Sequence, residues 1–233
     1  MSSLRPTSLV FKLALSVMTV LACATTAHAT SDIDTTSTWN GSSSIGSFGV
    51  PNTATYGQTI TTDAAGGILD SFSFYLSSLG STPFQAYVFA WDGSKATGPA
   101  LFTSSVLTTG SYSGYQEVSV NTGGVNLAAN SAYVLAFSTS GLQTGQANRS
   151  SRWGFEGDVY SGGEFVYLNN TDNLSALTSQ AWTAWYDGSD LAFKANFSAV
   201  AAVPEPETYA LFAAGLGLMG WSRRRSARRA IRA

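Results

Sequence analysis

The chain has one cysteine, Cys23, and one histidine, His28, in 233 residues. Both lie in the first thirty residues, so the body of the protein has no Ser-His-Asp triad, no Cys-His pair, no His/Cys zinc site and no disulfide framework. Charge is also scarce, at 11% of residues. Between residues 30 and 203 the only bases are Lys95, Arg149, Arg152 and Lys194, against twelve acids, giving that stretch a formal charge of −8. Such a surface has no electrostatic footprint for a phosphate backbone, and nucleic acid is excluded as a partner. Apolar runs are short and sit near the two ends of the sequence.

The first of these runs, Leu13 to Ala22, follows a basic stretch containing Arg5 and Lys12 and precedes Ala27-His28-Ala29. A basic start, a short apolar segment and a small-x-small site make a secretory signal peptide over residues 1–29, cleaved after Ala29. A rival reading takes Val20-Leu21-Ala22-Cys23 as a lipoprotein site with Cys23 acylated. Under either reading the chain engages the secretion machinery.

Residues 201–233 hold the most specific pattern. Pro204-Glu205-Pro206 precedes an uncharged run from Tyr209 to Trp221, which meets Arg223, Arg224 and Arg225. The prolines end any preceding strand and keep the segment extended. The run predicts a membrane helix over 209–221, ~20 Å long against a ~30 Å hydrocarbon core, so flanking residues must complete the span. The arginines stop transfer and hold this end on the cytoplasmic side of the inner membrane. The three parts in order resemble the PEP-CTERM sorting signal of Gram-negative bacteria. That resemblance implies processing by an exosortase, a membrane enzyme acting near Pro204-Glu205-Pro206, and delivery to the cell surface or exopolysaccharide matrix. A permanent membrane anchor is the competing reading of the same residues.

The 174 residues from 30 to 203 are rich in strand signals. Phe72, Phe74 and Leu76 alternate with Ser71, Ser73 and Tyr75, which predicts a half-buried strand. Phe84 to Trp91 is apolar on both faces and predicts a central strand ending at the Asp92-Gly93 turn. Further strands are expected at 58–61, 100–107, 115–120, 132–138, 164–169 and 191–199, separated by clusters such as Asn121-Thr122-Gly123-Gly124. One short helix is expected near 174–180. The pattern predicts an all-β fold, an antiparallel jelly-roll-like β-sandwich over 56–200, with 30–55 as a flexible lead-in containing an edge strand. Tyr87 to Phe102, Ala132 to Ser138, Gly163 to Asn170 and Asp190 to Ser198 resemble secreted β-sandwich domains found upstream of PEP-CTERM or other surface anchors. That likeness implies location and fold and brings no site with it.

Three groups of residues are candidates for chemistry. Glu156, Asp158 and Glu164 supply the two carboxylates a glycan hydrolase needs. Asp172, Asp187 and Asp190 lie in Asn/Asp/Gly-rich turns whose oxygens suit calcium, although such turns match no defined calcium loop. Trp153, Trp182, Trp185 and Tyr186 fall in loop-like sequence and offer apolar faces for sugar rings, each with a polar tip. The expectation is a non-enzymatic, exported, structural or glycan-associating module of the exopolysaccharide or biofilm matrix. The alternatives are a carboxylate-dependent hydrolase on the same fold and an anchored periplasmic-side binding protein.

Overall fold

The computed structural model describes residues 29–49, 53–78, 80–142, 151–200 and 210–221. Of these, residues 29–200 belong to one compact unit and residues 210–221 to another. The first unit is an all-β sandwich in which every strand pairing is antiparallel. One sheet runs in the order β1 (Ile33–Asp34), β14 (Phe193–Ser198), β4 (Gly67–Ser78), β10 (Ser151–Glu156), β13 (Asp190–Leu191), with β2 (Ser44–Phe48) on β10 and β8 (Gln116–Leu127) on β4. The other runs β12 (Thr183–Ala184), β11 (Phe165–Leu168), β3 (Thr55–Thr61), β9 (Ala132–Ser138), β5 (Pro83–Trp91), β6 (Ala96–Thr103), with β7 (Leu107–Thr108) on β5. The successive strands β8, β9, β10 and β11 alternate between the two sheets, as the strands of a jelly roll do.

Alternation along the strands builds the core. Phe72, Phe74 and Leu76 of β4 face inward and meet Phe84, Val88, Leu135 and Phe137 from β5 and β9; all seven are fully buried. Trp153 sits at the centre, with ring centroids 4.8 Å from Phe48, 4.9 Å from Phe74, 5.3 Å from Tyr56 and 5.5 Å from Phe137. Such tilted and edge-on aromatic pairs add directional preference to the burial of a large apolar area. The second apolar face foreseen for residues 84–91 is also covered. Tyr87 and Phe89 of β5, Val134 and Ala136 of β9 and Val166 and Leu168 of β11 pack with Ala176 and Leu177 of α1 (Ala176–Ser179) and with Trp182 just after it.

The structure departs from the expected elements in three places. Asn121 to Gly124 does not end a strand. It lies inside β8, where Ser71 pairs with Asn121 and Leu69 with Val125, so Thr122, Gly123 and Gly124 face Asp70 alone. Gly123 and Gly124 carry this bulge at φ +72° and +92°, backbone that favours glycine. Residues 30–35, expected to be flexible, are packed: Thr30, Ile33 and Thr35 are buried, and β1 pairs with β14. The Thr35 hydroxyl donates to the Leu191 carbonyl at 2.8 Å and accepts from the Phe193 N–H at 2.9 Å. The third departure is β10, which runs through sequence expected to be a loop.

In the second unit, residues 210–221 are helical, and Leu211, Phe212, Leu216, Leu218, Met219 and Trp221 are exposed. The expected single membrane span is not seen: no helix among the described residues is long and apolar enough to cross a membrane. Twelve helical residues reach about 18 Å. The expected signal peptide up to His28, the segment Pro204-Glu205-Pro206 and the basic cluster Arg223, Arg224 and Arg225 lie outside the described residues.

One polar group braces the sandwich across its sheets. Asp190 of β13 is fully buried; its carboxylate accepts from the Gln58 side-chain amide of β3 at 2.7 Å and from the Val159 and Tyr160 N–H groups at 2.9 and 2.8 Å. The Gln58 side chain closes the link by accepting from the Leu191 N–H at 2.9 Å. Burial pushes the Asp190 carboxyl above its ordinary range, while these donors pull it back. Asp190→Ala leaves three N–H donors without their acceptor and is expected to cost about 2–4 kcal/mol. Thermal unfolding should register this as a midpoint lowered by roughly 4–16 °C.

Candidate functional site

The exposed aromatics converge on one cleft. Trp185 leads into a single 3₁₀ turn, Tyr186–Gly188, that follows the short edge strand β12. The turn is fastened to β11 by backbone bonds from the Trp185 N–H to the Phe165 carbonyl at 3.0 Å and from the Phe165 N–H to the Ser189 carbonyl at 2.7 Å. Gly188 closes it at φ +75°, backbone that favours glycine. With the turn held this way, the Trp185 indole packs edge-on to Tyr186 at 5.1 Å and to Tyr167 at 5.7 Å. Glu164, Tyr167, Ala184, Trp185, Tyr186 and Gly188 line a shallow cleft of about 540 Å³. Tyr186 is 75% exposed, so its ring is presented to solvent.

Glu164 is set at this cleft by its own backbone. Its N–H donates to the Thr59 hydroxyl at 2.8 Å, and its carbonyl accepts from the Thr59 N–H at 2.9 Å. A side chain on the preceding Gly163 would overlap the Thr59 carbonyl, so only glycine lets the chain approach this closely. Asp158 reaches the same neighbourhood: a Cβ on Gly188 would lie 3.4 Å from its carboxyl carbon. Glu156 instead pairs through its backbone with Asp190 and does not line the cleft. Of the three carboxylates expected as a set, Glu164 alone lines the cleft, and Asp158 lies beside its Gly188 wall.

The four aromatics foreseen as sugar contacts divide evenly. Trp185 and Tyr186 are at the cleft, whereas Trp153 and Trp182 are corrected to structural roles. Trp153 is fully buried between the sheets. Trp182 packs edge-on to Trp91 at 5.6 Å and donates its indole N–H to the Leu177 carbonyl at 2.9 Å, beneath the α1 segment. Neither ring can meet a ligand in this fold. Of the turn acids, Asp190 is corrected as well, because a buried carboxylate already serving three N–H donors presents no open face to a cation. Asp172 accepts from the Gly141 N–H at 2.6 Å and ties two loops together. The Asp187 side chain lies outside the described residues. Among the described residues no three His, Cys, Asp or Glu side chains are grouped to hold a metal.

A second aromatic patch was not foreseen. On the sheet containing β4, Trp39 packs edge-on to Tyr115 at 5.0 Å and against Tyr75 at 5.6 Å, and Gly154 leaves room for its indole. Beside it Glu117 accepts from the Ser73 and Tyr75 hydroxyls at 2.7 and 2.8 Å and pairs with Lys194 at 3.5 Å, while the Lys194 ammonium sits 5.6 Å from the Tyr75 ring centre. The signal for this patch was a lone tryptophan in a Ser/Thr-rich stretch, followed by the turn dipeptide Asn40-Gly41.

Partial burial alone would raise Glu117, but the Ser73 and Tyr75 hydroxyls and the Lys194 ammonium outweigh it and hold the carboxyl below its usual 4.5. A depressed folded value stabilises the fold above the unfolded value and loses that contribution as pH falls through the folded one. Exposure and salt screening keep the contribution under about 1 kcal/mol. Thermal midpoints of wild type and Glu117→Gln should therefore differ most above pH 4.5 and converge as acid is added.

Comparison with known families gives one match, a PEP-CTERM protein-sorting motif over residues 202–229. Comparison with curated proteins and with solved structures gives no match. The chain thus carries a PEP-CTERM sorting motif, a signal that implies export, a transient hold at the membrane and processing by an exosortase to the cell surface.

Proposed function

We propose that the sandwich of this exosortase-sorted surface protein is a non-enzymatic, glycan-associating module of the exopolysaccharide or biofilm matrix. The observation that supports this reading is the cleft lined together by Glu164, Trp185 and the exposed Tyr186. Aromatic faces cover the C–H surface of a sugar ring, and a carboxylate accepts from its hydroxyls. An acidic body repels anionic partners, so the reading favours a neutral polysaccharide.

The test is retention of the processed protein on matrix polysaccharide from its own cells. Trp185→Ala and Tyr186→Ala should each weaken retention by about tenfold or more, with Trp153→Phe as a core control that retains binding. New reducing ends from the wild type, lost in Asp158→Asn or Glu164→Gln, would replace this reading with the hydrolase one.

The sorting step has its own test. Replacing Pro204, Glu205 and Pro206 together by alanine should abolish C-terminal processing, leaving a chain whose intact mass retains residues to Ala233. A normally processed triple variant would remove these three residues from the recognition segment.

A further inference from the structure

Thr30 is the residue that the expected cut after Ala29 would make the first of the mature chain. It is buried, and its backbone N–H donates to the Gly66 carbonyl at 2.7 Å. Its hydroxyl lies 3.2 Å from the same carbonyl and 3.3 Å from Asp63 Oδ1. The receiving turn, between β3 and β4, is firmly built. The Asp63 carbonyl accepts from the Gly66 N–H at 3.2 Å and the Asn130 N–H at 2.8 Å, and Asp63 Oδ1 accepts from the Ala65 N–H at 2.8 Å. Gly66 holds φ +64°, and a Cβ there would press on the Leu127 carbonyl at 2.7 Å, so the turn admits only glycine.

We propose that removal of the signal peptide completes the fold, because the turn Asp63 to Gly66 is a seat for the α-ammonium of Thr30. Hydrolysis of the Ala29–Thr30 amide by water, carried out by the secretion machinery's peptidase, leaves a carboxylate on Ala29 and frees the Thr30 nitrogen. Protonated, that nitrogen gains a positive charge where the uncut chain has one neutral N–H. It keeps the Gly66 carbonyl as acceptor, and the Asp63 carboxylate beside the Thr30 hydroxyl supplies the counter-charge. Among the described residues the one ion pair is Lys194 with Glu117, so Asp63 has no cation until the cut provides one. A charge-assisted bond is roughly twice as strong as a neutral one, which makes the processed sandwich more stable than its precursor.

The inference rests on the export reading for the cut and on the turn for the seat. Mass and N-terminal sequence of the protein recovered from the cell surface should place Thr30 first. Any other first residue, acylated Cys23 included, would overturn the proposal. Asp63→Asn keeps an oxygen for the Ala65 N–H and removes the charge. In protein beginning at Thr30 this variant should lower the thermal midpoint by about 1–4 °C, and by less than half of that when His28-Ala29 is retained ahead of Thr30. Equal drops in both forms would remove the seat and leave the cut standing.

Discussion

The ordering of the whole cleft depends on a carboxylate buried without a cation. Among the described residues Asp190 makes no ion pair with lysine or arginine; its charge is met by N–H donors from Gln58, Val159 and Tyr160. A buried carboxylate is tolerated only when its lone pairs are taken up this fully. The three donors come from β3 and from the chain leaving β10, while Asp190 itself sits just past the turn that carries Tyr186. Three stretches distant in sequence are thereby fixed at one end of the sandwich. The Trp185 ring, the Glu164 backbone and Gly188 take their places from that arrangement and from the bonds to Phe165 and Thr59.

What the body can do follows from the residues it has. Without imidazole or thiol, its surface chemistry consists of aromatic faces, hydroxyls, amides and a few carboxylates. Both aromatic patches of the sandwich have this form: Trp185, Tyr186 and Tyr167 with Glu164, and Trp39, Tyr75 and Tyr115 with Glu117. Aromatic faces of this kind suit contact with hydroxyl-rich, ring-shaped partners, which is the chemistry the proposed glycan association rests on. The sorting motif implies that those faces are delivered to the cell surface.

The fold was legible where one physical signal dominated. Phe72, Phe74 and Leu76 announced an inward face by strict alternation, and the two-sided apolarity of residues 84–91 announced a strand covered on both faces, which β5 is. The sorting segment was legible because its parts are contiguous. Strand β10 was missed because Gly154 breaks its apolar pattern beside Arg152; Trp153 and Phe155, two apart, were the surviving trace. Glycine stands there because the Trp39 indole and Ala192 leave no room for a Cβ, a constraint made by residues far away in sequence. The Asp190 network was illegible for the same reason, since Gln58 and Asp190 are 132 positions apart. Local composition correctly marked Asn121 to Gly124 as irregular backbone, but could not tell a bulge within β8 from a loop between two strands.

That bulge has a consequence for life at high density. β8 is paired along one side only, to β4, and at 12 residues it is as long as any strand in the sandwich. A flat open strand of that length would template a second copy, and molecules crowded at a cell surface would zip into ribbons. Three residues facing one at Thr122 to Gly124 put the two halves of the strand out of step, so no straight partner can follow the whole edge. At the far border of the other sheet, β6 carries Pro99, which has no N–H to offer a newcomer. These two of the sheet borders are thus guarded against edge-to-edge growth by backbone geometry alone.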